Sequence, residues 1–454
     1  MATIAGPSAA EVNPAFRTTA ETYAALNDLI GTNKEMVMPE LVETFGDQGI
    51  TGFLRMTGAV QSAGTADQIE WFQVGRRHRT LTYTNAANSS DIITFTLASG
   101  EDALPINKYD VLMDANTGVR YIVDSDHASG ASLTTHLLSD GTGATPSDTT
   151  GELIILGNMH PQGGSEQSYF VETDVERKKN PFAIVKGKHQ VNGSQATNIG
   201  WVNLGNGEYR WFMYAEGEAR KRFEDQREMI MLFGEQHDGS GAGTLGTDGD
   251  IAGTDGYVTQ VQAGGINITN ANANPLDSFA EFDDIIIELD KQGAPAEYAM
   301  YLNRKQDLAI DDMLASGIAS STTAGLPGQF GAFNNDAEMA VKLGFKSFTR
   351  GGYTFHKHDW KLLNDPTLLG ASNFLQGAML PLANVADPRT GVSAPSLAMY
   401  YKEANGYSRE LEHWVTGGGV LGYNNNGDDK ATFHYRSECA LVVRAANQHV
   451  LIRG

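Results

Sequence analysis

Four groups of residues in this 454-residue chain have the types that chemistry needs. Gly241-Ala242-Gly243-Thr244-Leu245-Gly246 fits the spacing of a dinucleotide-binding glycine loop. That loop works only with a strand before it and a helix after it. Here the glycines follow a long charged helical pattern and run into more loop, so nucleotide binding is not expected. Asp248, Asp250 and Asp255 lie among glycines and offer oxygen ligands of the kind calcium takes. Their spacing completes no calcium loop and no bidentate Glu closes it, so an acidic surface loop is expected. His356 and His358, with Asp359, put side chains on one strand face two residues apart. Zinc sites want three or four ligands, and no Cys or third His lies nearby, so a structural role is expected. Cys439, the only cysteine, precedes the apolar run Ala440 to Val443, where a thiol is usually buried and inert. There is no Gly-x-Ser-x-Gly elbow and no P-loop. These residues predict no catalysis, no cofactor and no metal.

Charge gives a stronger signal. The chain has 33 Lys and Arg against 55 Asp and Glu, a net charge of −22. That argues against tight binding to nucleic-acid backbones, which needs clustered bases. The charge is uneven. From Asp238 to Glu297 there are eleven acids and one base, Lys291. From Asp174 to Lys188 there are five bases and two acids. Arg76, Arg77 and Arg79 form one basic spot, and Arg177, Lys178 and Lys179 another. Separated patches of opposite sign let a chain pair with copies of itself, which makes these six residues the inter-subunit contact candidates. Local ion pairs within one subunit are the alternative reading of the same clusters.

One cysteine forbids an internal disulfide. Met1 to Ala15 has neither the charge nor the apolar run of a secretion signal. The longest strongly apolar run, Met229 to Phe233, is far short of the ~20 residues that cross a bilayer. A soluble chain folded in a reducing compartment, with no membrane contact, is the expectation.

The elements divide the chain into five stretches. Residues 1–54 read as an arm with short helices at Thr19 to Ile30 and Pro39 to Phe45. Residues 55–203 read as an extended β loop. Two long extended segments, Gln68 to Tyr83 and Ser165 to Val191, flank a small inserted β module at about 84–160. Within it, Asp114-Ala115-Asn116-Thr117-Gly118 between two apolar runs is a hairpin turn. Residues 204–274 hold a helix over Glu208 to Phe233 and a Gly-rich loop. Phe212, Ala215, Ala219, Phe223, Ile230 and Phe233 mark the helix's expected buried stripe, and Glu216–Arg220 and Glu218–Arg222 are its expected i,i+4 pairs. At 1.5 Å per residue it spans roughly 39 Å, long enough to be a strut. Gly256 to Gly264 reads as a loop or loose hairpin. Residues 275–385 turn α/β, with Asp277 as the expected cap of a helix. Residues 386–454 return as strands. Together the elements predict an α+β fold.

That order, a short arm, a long β arm, a very long charged helix, an α/β region and closing strands, resembles the Hong Kong 97-type (HK97-like) capsid fold of tailed-bacteriophage major capsid proteins. Local wording resembles it too. Asn180-Pro181-Phe182-Ala183-Ile184-Val185-Lys186, then His189 to Ser194, looks like the return strand of the extended loop. Phe223-Glu224 and Leu232-Phe233-Gly234 look like the body and end of the spine helix. Asp428 to Ile452 looks like the terminal strands. The β insertion and the Gly-rich segment depart from the simplest members.

The resemblance implies a peripheral domain with the spine helix and an axial α/β domain. It implies a structural protein that assembles with copies of itself as pentamers and hexamers into an icosahedral head. Scaffold, portal and decoration proteins are the implied partners. The head encloses DNA without sequence-specific binding; the protein is made in the host cytoplasm and resides in the virion. In some members a loop Lys crosslinks to a neighbour's Asn, and Lys178 or Lys179 is the nearest counterpart. An encapsulin-like compartment shell is the nearest alternative. A β-rich extracellular binding protein and a hydrolase with an unusual site are more distant ones.

Overall fold

The computed structural model describes residues 60–76, 78–89, 92–101, 105–138, 150–164, 166–170, 175–197, 211–236, 253–269, 276–319, 347–364, 374–386 and 393–453. The expected arm and its two helices, the first residues of the long helix, Arg77, Gly241 to Gly246, Asp248 and Asp250 lie outside them. The chain divides into two compact units, one of residues 70–179 and one of the remainder. The expected boundary at 203 lies outside the described residues, and Ala183 to Asn192 pair with Lys430 to Cys439 of the C-terminal stretch.

After β1 (Val60–Ser62), β2 (Gln68–Val74) leads out and β9 (Val175–Pro181) leads back, paired as a two-stranded ribbon. Between them lie β3 (Thr80–Ser89), β4 (Ile92–Leu97), β5 (Asp110–Asp114), β6 (Arg120–Val123), β7 (Ser132–Leu137) and β8 (Gly151–Asn158). These six close into a barrel in the order β3-β4-β7-β6-β5-β8. The inserted module thus starts at Thr80, and Tyr83 is not arm but barrel core. Leu81, Tyr83, Ile93, Phe95, Tyr121, Leu133 and Leu153 fill it. Phe95 meets Tyr83 and Tyr121 edge to face, with ring centroids 5.0 and 5.1 Å apart. The β5–β6 turn forms as the residues require. Asp114 Oδ2 accepts from the Thr117 N–H at 3.2 Å, and Gly118 takes φ 69°.

In the other unit, β10 (Ala183–Asn192) runs antiparallel to the long β22 (Lys430–Val443). On the far side of β22 lie β21 (Glu412–Gly417) and then β18 (Leu397–Tyr401), with β1 parallel to β18 at the edge. After a short α1 (Gly193–Thr197), helix α2 (Trp211–Phe233) lies on β10 and β22 and passes through Gly217 unbroken. Its buried face differs from the expected stripe. Phe223, Glu228, Met231 and Leu232 are buried, whereas Ile230 is exposed. Polar groups share the seam. The Tyr435 hydroxyl donates to Glu216 at 2.6 Å, and Arg227 donates to the Glu410 carbonyl at 3.2 Å. Glu216 is therefore not the partner of Arg220, which pairs with Glu224 at 3.1 Å, and Glu218 pairs with Lys221 rather than Arg222. Phe223 stacks on Tyr435 with centroids 5.6 Å apart. Gly187 opposite leaves the room for it, since a Cβ there would lie 2.8 Å from the Phe223 ring.

Beyond Gly234, α3 (Tyr257–Gly264) replaces the expected loop, because Tyr257, Val258 and Val261 place one apolar face in the core. A six-stranded sheet follows, in the order β11-β23-β15-β12-β14-β13. Its strands are β11 (Ile266–Thr269), β12 (Glu297–Leu302), β13 (Ser347–Arg350), β14 (Tyr353–Asp359), β15 (Gly377–Pro381) and β23 (Val450–Arg453). Helices α4 (Phe279–Lys291) and α5 (Arg304–Ala319) separate them in the chain. The cap of α4 is Ser278 rather than Asp277, in a reciprocal capping box with Glu281. Two-residue ladders pair β16 (Val385–Ala386) with β17 (Ser393–Ala394), and β19 (Glu403–Ala404) with β20 (Tyr407–Ser408). The sheet is buried on both faces. Along β12, Ala299 and Tyr301 enter the core shared with α2, α3 and β22, while Tyr298, Met300 and Leu302 enter the core under α4 and α5.

One polar cluster ties these parts together. The fully buried Asn180 amide donates to the Asp255 and Leu441 carbonyls at 2.9 and 2.7 Å. Its oxygen accepts from the Asp255 N–H and the Thr254 hydroxyl at 2.9 and 3.1 Å. Gln260 donates to the same two carbonyls at 2.7 and 2.9 Å and accepts from the Val443 N–H at 3.0 Å. The β10 pairing ends at Cys439, so two side-chain amides continue the hydrogen bonding of β22 where β10 runs out. Buried groups left unpaired cost about 1–3 kcal/mol each. Asn180→Ala is expected to destabilise this unit by about 3 kcal/mol in denaturant unfolding. Asn180→Asp should cost a similar amount, since a carboxylate cannot donate to the two carbonyls. A loss under about 0.5 kcal/mol for both, the range of ordinary surface changes, would remove the cluster from its role.

His449, before β23, is fully buried with its Nδ1 3.2 Å from the Tyr257 hydroxyl and its Nε2 unpartnered. Burial pushes its pKa down to about 3. A histidine depressed in the folded state contributes stability that is fully present above its unfolded value, ~6.5, and is lost as pH falls below that. Unfolding free energy should therefore drop by up to about 1.4 kcal/mol per pH unit from this group as pH falls below ~6.5. His449→Leu should remove that part of the slope. Equal slopes in both proteins would show that His449 does not report acid.

The barrel has its own core, so replacing 80–158 by a short Gly/Ser joint should leave a soluble protein with the thermal transition of the other unit intact. Loss of that transition would make the barrel part of the main folding unit.

Candidate assembly surfaces

The ribbon of β2 and β9 is where the charged candidates fall. Glu70 and Arg177 face the same side. Arg177 Nε and Nη2 donate to the Glu70 carboxylate at 3.0 and 2.5 Å. Lys178 pairs with Glu176 two residues earlier. Arg79 turns its guanidinium to the Pro105 carbonyl, and burial holds its pKa below the ordinary arginine value against Glu101 and Asp110. Arg76 and Lys179 are exposed. Of the six basic candidates, Arg79, Arg177 and Lys178 thus have partners inside their own unit. Two of these contacts are ion pairs and the third is a bond to a carbonyl, and among the described residues none joins the two basic spots into one site.

The same ribbon carries residues that charge counting passed over. Phe72 is 67% exposed, Val74 62% and Val175 52%, and Phe170, in the segment before β9, is 79% exposed. Burial along β2 alternates, with Glu70, Phe72 and Val74 outward and Ile69, Trp71 and Gln73 half-buried. Apolar residues thus occupy both faces of a strand whose only ladder partner among the described residues is β9. A two-stranded ribbon is marginal alone in water. The signal was present in Glu70-Trp71-Phe72-Gln73-Val74, a strand with no consistently polar face.

His358, Asp359, Asp255 and Cys439 have partners within the chain. His358 stacks on Tyr301 at 5.4 Å, and burial with the neighbouring His356 lowers its pKa. Asp359 accepts from Arg304 at 2.5 Å and from Asn364 at 3.1 Å. Asp255 accepts the Gln236 N–H at 2.8 Å. The Cys439 thiol is fully buried, which pushes its pKa up, and the Ser437 hydroxyl lies 3.6 Å from its sulfur. Among the described residues there is no metal-holding group of His, Cys, Asp and Glu, and no helix is long and apolar enough to cross a membrane.

No protein-family model matches the chain, and no curated protein does. Solved structures similar to it include the capsid of cyanophage P-SCSP1u, at 8% identity and TM-score 0.43 over 97% of this chain and 98% of that one. The mature capsid of bacteriophage PhiM1 gives 9% and 0.41 over 97% of each chain. The holo-SrpI encapsulin complex from Synechococcus elongatus gives 12% and 0.34, over 62% of this chain and 77% of that one.

Proposed function

We propose that the chain is a shell subunit of Hong Kong 97 type, the major capsid protein of a tailed bacteriophage, and that the β2–β9 ribbon is a contact with a second copy. The observation that carries this is the pair Phe72 and Val74, large apolar side chains set outward on a ribbon that has no further strand beside it among the described residues. Burying such a side chain is worth about 1.5–3 kcal/mol, and a closed shell of identical subunits repeats the gain at every equivalent contact. The order of the described elements supports the same reading: a ribbon with an inserted module, a return strand beside a C-terminal strand, a long helix across both, and an α/β region closed by the last residues. The reading extends to a head of pentamers and hexamers around DNA.

Electrostatics has the smaller share. Exposed pairs such as Arg177–Glu70 are worth about 0.2–1 kcal/mol and act on register and encounter more than on holding the shell together.

Phe72→Ser with Val74→Ser is expected to leave the subunit's unfolding midpoint within the range of surface substitutions while abolishing closed particles in electron microscopy and sedimentation. Normal shells from that variant would remove the ribbon from assembly. Reversing Arg177 and Lys178 to Glu should weaken assembly less than the apolar change does.

A further inference from the structure

The chain has four Asn-Gly steps, at Asn192, Asn206, Asn405 and Asn426; Asn206 lies outside the described residues. We propose that Asn426 is a site of spontaneous deamidation in the folded protein and that the fold protects Asn192 and Asn405. In the reaction the Gly427 backbone nitrogen attacks Cγ of Asn426. The Cγ–Nδ2 bond breaks, and ammonia leaves with the proton that the Gly427 nitrogen gives up. Water then opens the five-membered imide at either carbonyl, leaving aspartate or isoaspartate. No electron is transferred. A glycine after the asparagine favours the step because no Cβ shields the attacking nitrogen, and its backbone turns most freely.

The three described steps share this dipeptide but differ in freedom. Asn192 closes β10, paired with Lys430. The Gly193 N–H is engaged with the Asp429 carbonyl at 3.3 Å. Space is also closed there, since a Cβ on Gly193 would lie 2.2 Å from the Asp429 carboxylate. Asn405 and Gly406 form the two-residue turn between β19 and β20, with φ of 50° and 82°. Both central residues at positive φ is the tight hairpin turn that Asn-Gly prefers. Turning the Asn405 backbone toward the imide would break that ladder.

Asn426 is exposed in the connection between β21 and β22. Its side chain folds toward the residues that follow it. Oδ1 accepts the Asp428 N–H at 3.3 Å, and Nδ2 lies 3.5 Å from the Asp428 carboxylate. The side-chain amide is thus held against Asp428, just past the attacking nitrogen in the chain, with a carboxylate beside the leaving amine. Among the described residues the Gly427 N–H has no partner, and nothing lies within 4 Å of where its Cβ would be. The adjacent Asn425 is occupied in holding the loop, its Oδ1 accepting the Gly417 N–H at 2.6 Å. Conversion of Asn426 puts a new anion beside Asp428 and Asp429. The isoaspartate form also lengthens the backbone of a loop whose Asn425 and Asn426 N–H groups both bond the Gly417 carbonyl, at 2.8 and 3.0 Å.

The test is to hold the purified full-length protein in mildly alkaline buffer at body temperature and map its peptides over weeks, separating asparagine, aspartate and isoaspartate. Asn426 should convert first while Asn192 and Asn405 keep their amides. In denaturant all four steps should convert at similar rates, because the dipeptide then acts without the fold. Gly427→Ala puts a methyl into open space, so it should keep the thermal transition and slow conversion at Asn426. Native conversion at Asn426 no faster than at Asn192 or Asn405 overturns the proposal, as does an unchanged rate in Gly427→Ala. The outcome is independent of whether the protein builds shells.

Discussion

The main unit depends on how β22 is completed past the end of β10. A strand in the middle of a sheet needs partners on both sides, and backbone groups left unpaired in a core are costly. Up to Cys439 the partner is β10. Beyond it, the Leu441 carbonyl and the Val443 N–H point at side chains instead, those of Asn180 and Gln260. Because both amides also hold the Asp255 carbonyl, the substitution fixes three stretches at once: the end of the ribbon's return strand, the turn after the long helix, and the C-terminal strand. The glycines of that turn follow from the same closeness. Gly256 donates to the Gly234 carbonyl at 2.8 Å, and a Cβ on Gly256 would lie 2.6 Å from the Leu232 carbonyl carbon.

What the sequence revealed depended on the range of the interaction. The Asp114 to Gly118 turn was legible because turn residues act within four positions. The long helix was legible because its length and its stop at Gly234 are local too. Its buried face was not. Periodicity placed Ile230 inward, but Tyr435 and the Glu410 carbonyl, some two hundred residues on, supply polar partners that let Glu216 and Arg227 lie in the seam. One pairing in the basic clusters was hidden for the same reason. Arg177 looks unpaired in the chain, and its partner Glu70 is 107 residues earlier, brought opposite only by the ribbon register. Asn180 was visible as an opening residue of the return strand, yet nothing within its neighbourhood in sequence shows that it would stand in for a strand.

A closed barrel is the form of insertion that asks least of its host. An open sheet placed at the end of a ribbon would carry two unpaired edges, each a template for unwanted strand addition. Closing β3 against both β4 and β8 removes them. The apolar alternation is spent inward, on Leu81, Tyr83, Ile93, Phe95 and their neighbours. Outward apolar exposure in this unit therefore stands out most on the ribbon and its flank, where the described residues supply no second layer. This is why Phe72 and Val74 say more about association than residues of similar type elsewhere.

The order in which the parts become available follows from the same topology. All six barrel strands fall within residues 80–158, so their pairings are local on the scale of the chain. The main unit is the opposite. Its five-stranded sheet is built around β22, and the six-stranded sheet has β23 between β11 and β15. Both are supplied by the last 25 residues. Pairing β10 with β22 closes a loop of more than two hundred residues, an entropy cost that must be met before the contact gives anything back. Until those residues arrive, Asn180 and Gln260 have no β22 carbonyl to bond, the α2 seam lacks Tyr435, and the shared core lacks Leu441, Val443 and Leu451. The bond from Asn180 to the Leu441 carbonyl thus waits for the C-terminal residues.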